Sequence, residues 1–547
     1  MPARSLRIAA AIVVAVVLCA CTKVSQTGGE GSEPTATKTH VLRIADGTGD
    51  VPTLNPHLFS ELTLGFISQL TQAYLVKYDS HNQPFPELVT EVPTQANGGI
   101  SKDGDTITWH LRKGVKWSDG APFDGDDVIF TVGVIMNPAN NEIGRDGWNL
   151  ITKMDEPDKY TVVFHLKHPY AAYLPTFFGS AGANPSVLPK HLLAQYPNIN
   201  NVAYNSKPVG IGPFRVTAWK RADSIVMEAN PYYFRGMPKL KEVVYKLIPS
   251  RETLLTQVQT GEVDLWPYVQ SGTIPKVLAI TKLKTDYGPS PLYAHLDFNL
   301  SHPIVADIRV RQAIEMAIDR KTLADKITQG YSVVQESVVP SVLPIAPTAQ
   351  QIPLVPYDVA KAQALLDAAG WKIGADGIRV KNGQRLSLEF PYYTGSAIAD
   401  ATVELLRTEL KAVGVEIQTR QFAPQTYFLQ PNGIIYGGKF DITLYLWQSD
   451  PIGEMSNLWE CNQFPPNGQN MPRFCDPKLD ALLEQFKNTY DPEQHRKILL
   501  QEAQIIAANT PTIVLYVLDQ AMTYNRNLTG FHPGAWTAFD QMMDVDI

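Results

Sequence analysis

From residue 40 onward, apolar and polar residues alternate with two different periods. The period is two in the segments HVLRIADG, DTITWHLRKGVKWSDG and DKYTVVFHLKHP, which predicts β-strands with one buried face. Two more strands are predicted in GIGPFRVTAWKRADSIVMEANP, and another in LKEVVYKLIPS. These short strands, separated by polar turns, indicate sheets in the first half of the chain.

Helical periodicity dominates the second half. The stretch DIRVRQAIEMAIDRKTLADKITQG carries apolar residues four positions apart, as at Ile314 and Ile318, which predicts one helix. A second helix opens at Asp358, a favourable N-cap, and closes at Gly370, a favourable C-cap. Mixed strands and helices over this length predict an α/β or α+β body of several domains.

The N-terminal segment is a predicted export signal. Two arginines precede an apolar run of 13 residues, which is shorter than the roughly 20 that a membrane-spanning helix needs. We therefore expect residues 1–20 to be a cleaved signal peptide. The sequence LCAC at 18–21 resembles the lipobox of bacterial lipoproteins, so we predict that Cys21 is acylated and that residues 21–39 form a flexible tether. An ordinary cleaved signal with a chance cysteine is the alternative.

Composition and cysteine usage narrow the function classes. The 547 residues exceed what one hydrophobic core organises. The net charge of −7, without a cluster of lysines and arginines, argues against nucleic acid as a partner. Apart from Cys19 and Cys21 the chain has only Cys461 and Cys475, which we predict to form a disulfide in the oxidising environment of an exported protein. A metal site is the alternative, but this pair lacks the partners of a zinc site.

Motifs of known catalytic sites are missing. None of the 11 histidines lies in an HExxH motif, and neither GxSxG nor GxxxxGK[ST] occurs. Neighbouring acids such as Asp126 and Asp127 point about 100° apart on a helix, so we interpret them as a solvated helix start and not as an acid–base pair. We therefore expect a protein without enzymatic activity, cofactor or metal.

Several phrases look like those of one family. They are KWSDGAPFDGDDVIFTV at 116–132, VGIGPFRV at 209–216, GEVDL at 261–265, DIRVRQAIEMAIDR at 307–320 and YDVAKAQALLDAAGW at 357–371. Each phrase mostly marks turns and caps. Their order along the chain resembles the extracellular solute-binding proteins of family 5, the peptide- and nickel-binding components of ABC importers. A lipid anchor fits a component that must stay near its membrane permease.

The resemblance implies an α/β, two-lobed, periplasmic-binding-protein-like fold with an extra inserted domain. By similarity, lobe I takes residues 40–77, 206–292 and 512–547, the inserted domain takes 78–205, and lobe II takes 293–511. The chain would cross between the lobes near 290–300 and near 510–515, and these crossings would act as the hinge. A ligand that contacts both lobes only in the closed form would drive closure.

The resemblance also suggests ligand-binding residues in the stretch DITLYLWQSDPIGEMSNLW. It is predicted as a strand ending at Trp447 and a loop, and Trp447 is expected to be a wall of the cleft unless it is a plain core residue. Peptide-binding relatives have an aspartate three residues after this tryptophan, which pairs with the peptide's ammonium group, and Asp450 matches that spacing. Alternatively, Asp450 only forms an Asp-Pro turn. Weaker candidates are Tyr393 and Gly395 in PYYTGS, and Tyr293 at the first crossing, where tyrosines are as often packing residues.

The expected function is that of a lipid-anchored, monomeric solute-binding protein on the outer face of the cytoplasmic membrane. It would deliver a short peptide to the permease and ATPase of an ABC importer. An oligosaccharide is the alternative ligand, since Trp447 and Tyr393 are suited to stacking on sugar rings. A surface-anchored hydrolase such as a peptidase is the alternative from a different class, and a receptor domain serving a sensor is indistinguishable by sequence.

Overall fold

The computed structural model describes residues 39–47, 50–59, 61–79, 83–142, 144–145, 147–179, 185–429, 432–534, 538–539 and 541–547. Residues 40–547 form one compact unit. The predicted signal peptide, Cys21 and all of the predicted tether except Thr39 lie outside the described residues, so those predictions stay predictions. No helix in the described ranges combines the length and the apolar character that crossing a membrane requires.

The strands of the described chain follow in sequence order. They are β1 (Val41–Asp46), β2 (Val76–Tyr78), β3 (Pro84–Pro86), β4 (Thr106–His110), β5 (Ile151–Asp158), β6 (Thr161–Leu166), β7 (Phe214–Lys220), β8 (Ser224–Ala229), β9 (Glu242–Leu247), β10 (Leu265–Val269), β11 (Leu283–Phe298), β12 (Ser332–Val333), β13 (Lys372–Ile373), β14 (Arg379–Lys381), β15 (Gln384–Arg385), β16 (Ser387–Tyr393), β17 (Glu416–Phe422), β18 (Ile442–Gln448) and β19 (Thr512–Asn525).

The helices alternate with these strands, which gives the predicted α/β character. They are α1 (Leu62–Thr71), α2 (Gly125–Met136), α3 (Tyr173–Thr176), α4 (Lys190–Leu193), α5 (Arg251–Thr260), α6 (Ile274–Leu278), α7 (Pro303–Ala306), α8 (Ile308–Met316), α9 (Arg320–Thr328), α10 (Val359–Ala368), α11 (Ala397–Ala412), α12 (Pro424–Tyr427), α13 (Ser456–Trp459), α14 (Pro477–Lys487) and α15 (Pro492–Asn509).

One large sheet connects the two lobes. Its strand order is β18-β11-β19-β10-β1-β9-β8-β7, with β12 attached to β19. The long strands β11 and β19 run antiparallel to each other, from the pair Leu283–Asn525 to the pair Asp297–Thr512. The C-terminal part of β19 also pairs with β10, and the C-terminal part of β11 also pairs with β18. Two strands therefore carry the chain from one lobe into the other.

Separate hydrophobic cores mark the two lobes and the inserted domain. Leu518 of β19 packs in the core that contains α8, α10 and α11, whereas Ala521 packs in the core that contains α5 and α6. On β11, Leu283 belongs to the second of these cores and Ala294 to the first. The domain boundaries stay a prediction, and this packing favours a second crossing at about 518–521, later than the sequence analysis proposed.

The inserted domain has its own core, built on the three-stranded sheet β4-β6-β5 and on α2. It is joined closely to lobe I at the phrase VGIGPFRV. The nitrogen of Ser118, in the inserted domain, donates a hydrogen bond of 2.9 Å to the carbonyl of Gly210, and within lobe I a Cβ atom at Gly210 would lie 2.0 Å from the carbonyl oxygen of Thr71. A Cβ atom at Gly212 would lie 2.5 Å from the carbonyl carbon of Thr71, so both glycines are positions of close backbone approach.

Two sequence interpretations need correction. The helix predicted over 307–330 is split into α8 and α9, because the side chain of Asp319 accepts a hydrogen bond from the nitrogen of Thr322 and starts a new helix there. The helix start at 126–127 is real, but Asp127 is buried and accepts a hydrogen bond from the indole of Trp117. Periodicity alone shows neither the second cap nor the buried partner.

The predicted disulfide between Cys461 and Cys475 is present. The loop that it closes is tied to neighbouring segments by side-chain hydrogen bonds. Gln469 donates to the hydroxyl of Tyr436 and accepts from Asn457. The disulfide therefore fixes a loop that packs against the aromatic cluster described below.

Candidate functional site

The first part of the candidate site is the strand pair β11 and β18. Their register places Tyr293 directly opposite Trp447, so the two side chains lie on the same face of the sheet. Tyr293 is buried, whereas Trp447 is only partly buried, and both pack against the same hydrophobic cluster. Tyr293 thus packs beside the tryptophan on the neighbouring strand, while Trp447 stays partly accessible.

The second part is the turn that follows β18. The Oδ1 atom of Asp450 accepts hydrogen bonds from the backbone nitrogens of Ile452, Gly453 and Glu454, at 3.0, 2.5 and 3.0 Å. These bonds form the Asp-Pro turn that the sequence analysis gave as the alternative role of Asp450. The other carboxyl oxygen takes no part in them, and the residue is only partly buried. The turn and a contact with a ligand are therefore compatible.

Three carboxyl groups, those of Asp450, Glu454 and Glu502, lie close enough for Glu454 to act on the pKa of the other two. Burial and then the nearby Glu454 raise the pKa of Asp450 to about 7. Burial also raises the pKa of Glu454 and, together with Glu454, that of Glu502 to about 8. Glu502 is 1% exposed, and neither of its carboxyl oxygens accepts a hydrogen bond from a described residue.

No ion pair to Asp450, Glu454 or Glu502 exists among the described residues. The cation that acts on Glu454 is Lys487, and its amine lies 2.6 Å from Glu460, which it neutralises. This end of the site therefore holds three carboxyl groups without an ion pair, and a cationic ligand group would favour their charged forms.

Aromatic side chains form the third part. The Tyr393 ring, at the end of β16, lies 5.8 Å from Tyr427 and 5.7 Å from Phe428. Phe428 in turn lies 6.4 Å from Tyr445 and is 39% exposed, which is unusual for such a residue in a folded chain. Tyr393 and Trp447 both pack against this group. The two predicted aromatic residues thus belong to one continuous surface.

Gly395 lies two residues beyond Tyr393, at the turn before α11. Its φ of +88° is in the left-handed region, and a Cβ atom there would meet no atom within 4 Å. The next residue, Ser396, caps α11 by accepting a hydrogen bond from the nitrogen of Ala399. The turn therefore opens towards free space, as expected for a cleft-lining loop.

Two tyrosines outside lobe II interact electrostatically with these residues. The pKa of Tyr78, on β2, is raised by burial and then by the charge of Asp450. The pKa of Tyr268, on β10, is raised by burial and also by Tyr393. Tyr78 and Tyr268 are therefore near enough to Asp450 and Tyr393 for an electrostatic effect on their pKa, which makes them further candidates for the site. Neither tyrosine was predicted, because nothing in YLVKY or LWPYV marks a residue that faces a distant segment.

Among the residues that the structure describes, one group of acidic side chains has the spacing of a metal site. Asp124, Asp126 and Glu156 are close enough to share an ion. However, the Lys159 amine lies within 3.8 Å of Glu156 and 3.6 Å of Asp124, and it also bonds Asp126. A lysine therefore already provides the positive charge at this group.

Comparisons with known proteins agree with the two-lobed architecture. The family model for bacterial extracellular solute-binding proteins, family 5, matches residues 83–468. The oligopeptide-binding protein AppA of Bacillus subtilis is 26% identical over 534 residues, which are 95% of each chain. The glutathione-binding protein GsiB of Salmonella paratyphi A is 26% identical over 460 residues, covering 82% of this chain and 84% of its own.

Solved structures give the same result for the fold. The structure of B. subtilis AppA in complex with a nonapeptide has a TM-score of 0.77 at 23% identity, covering 93% of this chain and 99% of AppA. NikZ from Campylobacter jejuni, in complex with Ni(L-His), also has a TM-score of 0.77, at 24% identity, covering 93% of this chain and 100% of NikZ. The two-lobed prediction is therefore confirmed, and this chain belongs to family 5 of the bacterial extracellular solute-binding proteins, the non-enzymatic solute-capturing components of ABC transporters.

Proposed function

We propose that the protein captures a short peptide between its two lobes and delivers it to the permease of an ABC importer. The observation that carries this proposal is the carboxyl group of Asp450, which lies at the cleft without a cationic partner among the described residues. A peptide's ammonium group would supply that partner in surroundings where a charge-assisted bond is strong. The names of the relatives AppA and GsiB, an oligopeptide- and a glutathione-binding protein, support the same ligand class.

The aromatic surface gives a second reason for a peptide. Tyr393, Phe428 and Trp447 offer apolar area beside the charged turn, which suits side chains of varied shape. Sugar rings also stack on such surfaces, so an oligosaccharide is the second candidate. The cluster of unpaired carboxyl groups favours the peptide, because a neutral saccharide would leave it without a counter-ion.

Calorimetry with di- to pentapeptides, their N-acetylated forms and oligosaccharides tests the ligand class. We expect the free-amine peptides to bind and acetylation to reduce affinity by about a hundredfold, since it leaves a buried charge unpaired. Equal binding of both forms would refute the amine anchor, and binding of saccharides alone would favour the second candidate. Peptides recovered intact after incubation would exclude the peptidase alternative, whereas cleavage that survives repurification would support it.

We further propose that the protein is a monomer, anchored by lipid to the outer face of the cytoplasmic membrane. The lipobox-like LCAC and the short apolar run before it support this part. Mass spectrometry of the mature N-terminus should show a diacylglyceryl or triacylglyceryl group on Cys21. A mature chain that starts at Thr22, or a Cys21→Ser variant retained at the membrane like the wild type, would refute it.

A further inference from the structure

A contact between the inserted domain and lobe II lies outside the candidate site. The hydroxyl of Tyr490, in the turn between α14 and α15, donates a hydrogen bond of 2.9 Å to the carbonyl of Gly104. The same hydroxyl accepts a hydrogen bond of 2.9 Å from the backbone nitrogen of Tyr170. Both partners are more than 300 positions away in the sequence and belong to the inserted domain.

The contact is tightly packed around these bonds. The nitrogen of Ala171 donates a hydrogen bond of 2.7 Å to the carbonyl of Lys487, the last residue of α14, directly before the turn that carries Tyr490. The Tyr490 ring lies 5.9 Å from that of Tyr173 and packs against the core of the inserted domain. A Cβ atom on Gly104 would lie 2.7 Å from the Tyr490 ring, so only glycine permits this approach.

The turn that carries Tyr490 is held firmly on its own lobe. The amine of Lys487 lies 2.6 Å from Glu460 and 2.8 Å from Glu484. On the other side of the turn, His495 stacks on Phe486 at 4.2 Å. The turn therefore moves with lobe II, as the inserted domain moves with lobe I through the hydrogen bond from Ser118 to Gly210 and the buried contact of His57 with Glu142.

We propose that Tyr490 is a latch between the lobes, which favours the closed form and strengthens ligand binding without contacting the ligand. This inference rests on the proposed function, capture by closure of two lobes. Opening about β11 and β19 would separate Tyr490 from Gly104 and Tyr170, and their hydrogen bonds would pass to water. Two such bonds change a closing equilibrium by about tenfold, and the apparent affinity for any ligand of the closed form falls with the closed fraction.

The variant Tyr490→Phe removes the hydroxyl and keeps the ring. Tyr524→Phe is the matched control, because the hydroxyl of Tyr524 donates to Asp286 within lobe I. Calorimetry of both variants should use three peptides of unrelated sequence that bind the wild type. We expect Tyr490→Phe to weaken all three by a common factor of up to about tenfold and Tyr524→Phe to leave them unchanged. Unequal losses of affinity among the three peptides would indicate that Tyr490 contacts the ligand, and unchanged affinities would refute its role as a latch.

Hydrogen exchange of the unliganded proteins tests the latch without any ligand. The amide of Ala171 is the reporter, since its acceptor, the carbonyl of Lys487, is unaltered in Tyr490→Phe. We expect slow exchange in the wild type and exchange about tenfold faster in the variant. Fast exchange in the wild type, or equal rates in both, would overturn the latch. If no peptide binds the wild type, the proposed function fails, while this measurement still decides the role of Tyr490.

Discussion

Peptide binding at Asp450 should depend on pH in a way that the structure makes specific. In the unliganded protein, burial and the neighbouring Glu454 raise the pKa of this carboxyl group to about 7. A bound ammonium group favours the charged carboxylate and lowers that pKa. Binding below pH 7 therefore displaces a proton from Asp450, and the affinity for the peptide should fall as the solution becomes more acidic.

The size of the effect follows from the fraction of ionised carboxyl. With a pKa of about 7, about one tenth of Asp450 is ionised at pH 6 and about one hundredth at pH 5, so affinity should fall about tenfold per pH unit. Close to one proton should be released per peptide bound at pH 6. Above about pH 8 the peptide's own amine loses its proton. The affinity should therefore peak between about pH 7 and 8.

Titration calorimetry in buffers of different ionisation enthalpy measures both the affinity and the proton count. Asp450→Asn is the informative variant, because an asparagine oxygen can still accept the three backbone hydrogen bonds of the turn. It should lose affinity at pH 7.5 and lose the acidic limb of the profile while remaining folded. Asp450→Ala removes both the charge and the turn, so a stability loss is expected only there.

Two results would refute this reasoning. An N-acetylated peptide that keeps the same pH profile would mean that no ammonium group is bound at this position. A profile that survives unchanged in Asp450→Asn would assign the titration to Glu454 or Glu502, whose pKa values are also raised.

Three further predictions concern stability. The pKa of Glu502 is about 8 in the folded protein, above its ordinary value, so the folded state binds the extra proton and the free energy of unfolding falls as pH rises from about 4.5 to 8. The variant Glu502→Gln should remove this fall and stabilise the protein by about 2–4 kcal/mol at pH 8 but not at pH 5. Thermal melts across this pH range measure the difference, and parallel stability profiles of the variant and the wild type would contradict the prediction. Replacing Cys461 and Cys475 by serine should cost about 3 kcal/mol in urea unfolding, and a reductant should shift the wild type alone. Gly212→Ala should lower the melting temperature by several degrees, because its Cβ would lie 2.5 Å from the carbonyl carbon of Thr71; an unchanged melt would mean that the junction gives way freely.

Sequence signals predicted the ends of a helix well where capping residues within the helix sequence determine those ends. Asp358 caps α10 by accepting from the nitrogen of Lys361, and Gly370 follows that helix at a φ of +89°, as the sequence indicated. The split between α8 and α9 was missed although its cause is also local, because Ile318 continues the apolar spacing and conceals the cap at Asp319. Apolar periodicity reports burial, and buried residues between two helices keep the same spacing as those within one.

The long strands β11 and β19 could not be predicted from apolar periodicity. Each passes from one hydrophobic core to another, so its buried face changes along its length, and the irregularities beside Tyr293 and Ala294 break the period of two. Their extended conformation is stabilised by the hydrogen bonds between the two strands, which are far apart in the sequence. The crossings near 290–300 and 510–515 were predicted from the family resemblance, and sequence patterns alone do not fix the residue at which the chain changes lobes.

At Asp450 the sequence could not decide between two roles for the residue. From the sequence, an anchor for an amine and a simple Asp-Pro turn were competing interpretations, because each explains an aspartate before a proline. The structure makes them compatible, since the turn's hydrogen bonds use Oδ1 only. The charge of Asp450 also acts on Tyr78, which is distant in sequence and which no local pattern connects with this turn. We expect a turn that fixes one carboxyl oxygen to hold the other in place for a ligand, so the structural role of Asp450 would itself prepare the residue for the proposed binding role.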